Sequence, residues 1–168
     1  GERGPGVPYT VEPPFSSAPV MEEIAPLGVL LHIAAGNVDG LPAFSVLEGL
    51  LCGNINILKL PAAEGGLSLH LLQELVRIQP ALAPYLYVFD YSPRDLTAMK
   101  RLAQVADGVV VWGGNEAVSA VRRLVRPDTR LIEWGHKMSF AYITPDGMEE
   151  EELEGLAESI GETDQLLC

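Results

Sequence analysis

The sequence predicts an α/β fold, a doubly wound and mostly parallel sheet with helices on both faces. Three observations point there. Short apolar runs of strand length recur without polar alternation, as expected of strands buried on both faces. Between them lie segments with helical spacing. Gly and Pro punctuate the boundaries, so strand and helix alternate at the pitch of βα units. At 168 residues, with 48% hydrophobic and 20% charged residues, the chain is long enough for one domain with a substantial core.

Residues 1–26 read as an extended lead-in, rich in Pro and Gly and without a lasting period. The α/β domain is then expected over residues 27–168. Residues 27–34 (LGVLLHIA) form the first strand, broken at Gly36-Asn37. Residues 41–52 (LPAFSVLEGLLC) have helical spacing and stop at Gly53, a suitable C-terminal cap. Residues 54–60 (NINILKL) are a strand, and residues 64–79 an amphipathic helix stopped by Pro80. The stripe Leu67, Leu71, Leu72 and Leu75 is assigned to the core. Residues 85–89 are a short strand, and residues 93–105 a helix with Ser92 as N-cap and Pro93 in its first turn. Residues 108–112 (GVVVW) are a strand, and residues 115–125 a helix that ends before Pro127. Short strands at 130–133 and 139–143 and a helix at 148–160 complete the pattern.

Charge excludes some functions. The formal net charge is -12, which argues against a nucleic-acid surface. Much of the acidity lies in residues 146–164 and reads as a solvated helix face. The apolar runs are too short to span a bilayer, and no secretory signal is visible. The two cysteines, Cys52 and Cys168, do not make a disulfide framework, so a reducing cytoplasmic setting is expected. Cys52, at the end of an apolar helical pattern, is assigned to the core. No cluster has metal-ligand spacing, so no metal is expected. His32 reads as a satisfied core histidine, His70 as structural or exposed, and Trp112 and Trp134 as packing residues.

Five features carry chemistry. They are Asn37 in HIAAGN, Lys59 in GNINILKLP, Gly113-Gly114-Asn115 in VVVWGGNEAVSA, Glu133 in LIEWGHK and Cys168 in GETDQLLC. In open α/β sheets ligands bind at the carboxyl ends of the strands, and Asn37, Lys59 and the glycine pair all fall at or after such ends. An amide, a lysine, a glycine turn, a carboxylate and a thiol are the parts needed for thiol-dependent oxidation or reduction of an acyl group with a nicotinamide. Each is weak alone. The fingerprint G-x-G-x-x-G is absent, and Gly113-Gly114 could be either a pyrophosphate cradle at a helix start or only a tight connection. A lysine at a strand end is most often a solvated cation.

In this order the motifs resemble the aldehyde dehydrogenase superfamily from about Leu27 to Cys168. That family carries an asparagine after its first core strand, a GN-apolar-K-P strand, a strand-glycine-helix cofactor turn, an E-L-G-G-K box and a Gln-bearing approach to a cysteine. The resemblance implies a Rossmann-like cofactor domain. It implies Cys168 as nucleophile, Asn37 as donor to the oxyanion and Glu133 as general base. Lys59 would hold the cofactor ribose, with Gly113, Gly114 and Asn115 at the pyrophosphate. Where NAD-preferring relatives carry a ribose-binding glutamate this chain has Ala62, so NADP is expected, with NAD the alternative and Glu64 a partial substitute. His136 and Ser119 replace family glycines.

The wording HIAAGNVDGLPAFSVLEGLLCGNINILKLP with EWGHK is similar to the acyl-CoA reductases of the bacterial luminescence type. That resemblance implies reduction of a fatty acyl-CoA to an aldehyde through an acyl-enzyme. Glu133 is in tension with this direction, since water attack would waste the acyl-enzyme. It could instead shuttle a proton, serve the reverse oxidation, or pair with Lys137 or a backbone amide. The alternatives are an NAD(P)-dependent dehydrogenase oxidising free aldehydes and a non-catalytic nucleotide-binding fragment. The resemblance further implies a catalytic domain cut short after Cys168, weak turnover by this stretch alone, and homo-oligomerisation through segments beyond it.

Overall fold

Five parallel strands carry the fold. In the computed structural model the described residues are 5–11, 18–62, 65–92, 94–135, 142 and 154–158. Residues 1–135 form one compact unit and 136–168 another. In the first unit, β1 (Tyr9–Val11) pairs antiparallel with β2 (Val20–Glu22). This hairpin lies within the expected lead-in, where strands of three residues between prolines leave no readable period.

The main sheet comprises β3 (Val29–Ile33), β4 (Ile55–Lys59), β5 (Leu86–Phe89), β6 (Gly108–Trp112) and β7 (Arg130–Trp134). Their order is β5-β4-β3-β6-β7, and every neighbouring pair is parallel. The chain moves outward from β3 through β4 to β5, then crosses back to β6 and on to β7. The sheet is therefore doubly wound, with its switch point between β3 and β6.

Helices fill both faces. On one, Ala43 and Val46 of α1 (Leu41–Leu51) and Leu72 of α2 (Leu67–Ile78) pack on Leu58. On the other, Ala103 of α3 (Leu96–Val105) and Val121 of α4 (Asn115–Arg122) pack with Leu31, Ile57, Val109 and Val111. Strand residues alternate between these two clusters, because side chains on a strand have a period of two.

Helix ends follow from local chemistry. α1 stops in a Schellman motif, with Asn54 N–H donating to the Gly49 carbonyl (3.1 Å) and Gly53 N–H to the Leu50 carbonyl (2.9 Å). Gly53 has φ 79°, a left-handed conformation that glycine adopts without strain. α3 begins later than expected. Asp95 caps it by accepting from Ala98 N–H (2.9 Å), while Ser92 accepts from Arg94 N–H (3.3 Å) within a turn. Asp95 N–H also donates to the Ser92 carbonyl (2.9 Å), so Ser92 serves the turn and the Asp95 carboxylate serves the helix. Pro93 lies outside the described residues.

Other boundaries shift. α2 begins at Leu67 after Gly66 in a left-handed conformation, and Pro80–Tyr85 form a 3₁₀ helix that precedes β5. Two packing expectations are corrected. Cys52 is exposed, because the capping turn carries it off the buried face of α1. Leu67 and Leu71 are 42% and 45% exposed, whereas Leu72 is 2% exposed. α2 is rotated so that Ser68 faces α1, where its hydroxyl accepts from Ala43 N–H (3.2 Å). In the second unit, residues 154–158 are helical, inside the helix expected at 148–160. The strand expected at 139–143 lies outside the described residues apart from residue 142.

Candidate active site at the carboxyl rim

Parallel pairing puts the carboxyl ends of the five strands on one side of the sheet. Asn37 lies in the loop from β3 to α1 and is exposed. Gly113 and Gly114 follow β6 directly. These two loops leave adjacent strands in opposite senses, so they border the crevice at the switch point. Lys59 ends β4 on one flank, and Glu133 and Trp134 end β7 on the other.

The glycine turn is not built on unusual dihedrals. Gly114 is extended (φ −67°, ψ 172°), and Gly113 is not among the positive-φ glycines. A Cβ on Gly113 would come within 3.2 Å of Ala117 Cβ, so close packing of turn on helix explains that glycine. Gly114 caps α4 with no side-chain bond, and the first helical bond runs from Val118 N–H to the Gly114 carbonyl (3.1 Å). The amides of Asn115, Glu116 and Ala117 thus open toward the rim without intrahelical acceptors, as a helix start must leave them.

Lys59 is not the solvated cation its type suggests. It is 6% exposed, and its ammonium lies 5.8 Å from the centre of the Tyr91 ring, a cation–π distance. Burial pushes its pKa down, and the charge of Asp90 partly restores it. Ala62 follows in an exposed turn; Glu64, His136, Lys137 and Cys168 lie outside the described residues.

Glu133 is held from α4. Arg122 Nε and Nη2 donate to its two carboxylate oxygens, each at 2.7 Å. The hydrogen bond from Arg122 and then its charge hold the carboxyl below its ordinary range. A carboxylate with both oxygens taken by a guanidinium is poorly prepared to accept a proton from water. Sequence reasoning offered Lys137 as its partner and missed Arg122, eleven residues before it on the neighbouring helix.

A buried polar chain lies beneath the rim on the α1 face. His32 is 1% exposed, with Nδ1 2.8 Å from Ser45 Oγ and Nε2 2.9 Å from Asn56 Oδ1. Trp112 Nε1–H donates to Ser45 Oγ (3.1 Å), and Asn56 Nδ2 donates to the Asn54 carbonyl (2.8 Å). Trp112 stacks on Trp134 with ring centres 4.9 Å apart and planes at 11°. These contacts agree with His32 as a satisfied core residue and with both tryptophans as packing residues.

Burial lowers the pKa of His32, opposed in part by its bond to Asn56. The folded state therefore resists protonation that the unfolded chain accepts near 6.5. Stability from this site is complete above that value and is lost as pH falls from it through the lower folded-state pKa. Urea melts across this range should show stability declining on acidification, and His32→Gln should flatten the decline. An unchanged slope in that variant would assign it to other groups.

A groove of about 660 Å³ runs along α3 beside Leu124 and shares none of the rim residues. It is not the site. Among the described residues no group of three or more His, Cys, Asp and Glu could hold a metal ion. No described helix is long and apolar enough to cross a membrane.

Sheet order and switch point together define a doubly wound, mostly parallel α/β domain of the aldehyde dehydrogenase fold. The fold is similar to the crystal structure of betaine aldehyde dehydrogenase from Staphylococcus aureus in complex with NAD+. The TM-score is 0.52 at 15% identity, over 75% of this chain and 25% of that one. The sequence matches the acyl-CoA reductase (LuxC) family over residues 10–168, and the chain belongs to that family. It is 27% identical over 146 residues to the long-chain acyl-protein thioester reductase of Aliivibrio fischeri, covering 85% of this chain and 30% of that protein. It is 28% identical over 147 residues to the Vibrio harveyi reductase of the same name, covering 85% and 31%. The chain thus spans about a third of the length of these curated relatives.

Proposed function

We propose that this chain is the dinucleotide-binding portion of a reductase that converts a long-chain fatty acyl thioester to the aldehyde. What carries the reading is one juxtaposition. The Asn37 loop and the Gly113-Gly114 turn border the switch point, in a chain related to proteins named for thioester reduction.

The residues fit a nicotinamide dinucleotide. Open amides at the start of α4, next to a glycine with no side chain, suit a pyrophosphate. The Lys59 ammonium suits a ribose hydroxyl or phosphate. Ala62 leaves no carboxylate to repel a 2′-phosphate, which favours NADP over NAD. The bound nicotinamide would supply hydride to the acyl carbon.

The chain's own residues would do the rest. The Cys168 thiolate attacks the thioester carbonyl, and the carrier thiolate leaves. The side-chain amide of Asn37 and the backbone N–H of Cys168 donate to the oxyanion. After reduction the tetrahedral adduct collapses, the C–S bond breaks, and aldehyde departs with the thiolate restored. The ion pair with Arg122 suits this direction, because an engaged Glu133 does not feed water to the acyl-enzyme. The same pair disfavours oxidation of free aldehydes, which ends in hydrolysis.

The test is to mix full-length protein with a long-chain acyl-CoA and either reduced nicotinamide, and to follow cofactor absorbance. Acyl-dependent oxidation, faster with NADPH, is expected. Oxidation of neither cofactor while Cys168 is intact sinks the reading.

A further inference from the structure

The polar chain beneath the rim has a direction. Trp112 Nε1 can only donate, so Ser45 Oγ accepts from it and turns its own proton to His32 Nδ1. The Asn56 amide nitrogen is committed to the Asn54 carbonyl, so Asn56 presents oxygen to His32 Nε2, which must carry the proton. The neutral Nε2–H tautomer therefore pairs every polar atom along the line. A single satisfied arrangement of this kind resists rotation of each member.

The line also joins two parts of the fold that share no helix. Ser45 and His32 belong to α1 and β3, on the side of the switch point that leads outward to β4. Trp112 is the last residue of β6, on the other side. Its successor, Gly113, donates its N–H to the Trp134 carbonyl (3.1 Å), and the two indoles stack. Trp112 is thereby tied to β7 on one side and to α1 on the other, and the peptide that leaves it is the glycine turn. The bond from Trp112 to Ser45 spans 67 residues of chain and crosses the crevice-forming junction.

We propose that Ser45, oriented by neutral His32, is a positioning residue for the dinucleotide crevice and acts through the Trp112 indole on the Gly113-Gly114 turn. The proposal rests on the reading of that turn as a dinucleotide site. Ser45 touches no ligand in this account. It sets the angle at which β6 delivers the turn and the open amides of α4. Without it, Trp112 loses its hydrogen-bond acceptor on the α1 side, and the indole is held by its stack on Trp134.

The test uses full-length protein and NADPH as the probe. Binding is measured by calorimetry for the unsubstituted protein, Ser45→Ala, Trp112→Phe and the double variant, with melting temperature and tryptophan emission recorded for each. Trp112→Phe keeps an aromatic ring but removes the donor. Ser45→Ala should weaken NADPH binding about tenfold, the scale of one buried hydrogen bond. It should also shift tryptophan emission, a shift absent in the Trp112→Phe background. Trp112→Phe should weaken binding similarly, and the double variant no further. A purely structural Ser45 would lower the melting temperature and leave NADPH affinity within about twofold; that result overturns the proposal. Should Ser45→Ala fail to fold, unaltered affinity in Trp112→Phe alone overturns it. Failure of the unsubstituted protein to bind either NADPH or NADH removes the dinucleotide reading itself, and this proposal with it.

Discussion

Replacing Cys168 by alanine should abolish acyl transfer to the protein and lower aldehyde formation by at least about 10³-fold. The expectation follows from the chemistry. In the proposed route the acyl group is held on the Cys168 thiol until hydride arrives, and the carrier thiolate and then the Cys168 thiolate leave in turn. Of the two cysteines, Cys52 sits exposed where the α1 cap turns away from the sheet, so Cys52→Ala is the matched control. Intact mass after incubation with a long-chain acyl-CoA reads the step directly. One acyl adduct is expected on the unsubstituted protein and on Cys52→Ala, and none on Cys168→Ala. An adduct that persists in Cys168→Ala would move the nucleophile elsewhere and end the proposed roles of both Cys168 and Asn37.

The second large effect concerns stability. Gly49 lies in α1 where the helix crosses the polar chain. A Cβ there would fall far inside contact distance of Asn56 Oδ1 and 3.2 Å from His32 Nε2. Both neighbours are buried and bonded, so neither side chain can swing aside without leaving a partner unsatisfied. Overpacking costs about 1–3 kcal/mol, and a lost buried hydrogen bond about 1–3 more. Against this, alanine gains only about 1 kcal/mol in helix propensity. The steric term wins. Gly49→Ala should destabilise by about 3 kcal/mol, a fall in melting temperature of roughly 6–12 °C. Gly155→Ala is the control, since a Cβ there meets nothing within 4 Å. Equal melting temperatures for the two variants would show that α1 yields at Gly49 and that the polar chain is softer than its geometry indicates.

Much of the fold was legible in the residues. β3, β4 and β6 are buried on both faces and mostly apolar, so the runs expected at 27–34, 54–60 and 108–112 contain them. The residues 108–112 read as a strand are those of β6. Gly53 was legible as a helix stop because its left-handed conformation has few other occupants. Family membership was legible through motifs in register, of which Asn37, Lys59, Gly113-Gly114 and Glu133 stand at or just after strand ends.

What misled the reading had local causes. Ser92 and Asp95 both suit a helix cap, and composition does not say which amide each will meet. Leu67, Leu71, Leu72 and Leu75 share a helical stripe, but the rotation of α2 was decided by Ser68 meeting an amide of α1. Lys59 looks like any lysine at a strand end until Tyr91 and the end of β4 enclose it.

The sequence by itself determined the alternation of strands and helices, the rim residues by type and the family, because these depend on patterns within a few residues of one another. The tertiary structure alone decided which distant groups meet. Parallel register aligns His32 with Leu58 and with Val110, so that His32, Asn56 and Trp112 converge under α1. Sheet order sets the Asn37 loop beside the glycine turn, and winding to the far face sets Arg122 against Glu133. Such pairings are fixed by how buried polar atoms must be satisfied once the layers close, which no local pattern records.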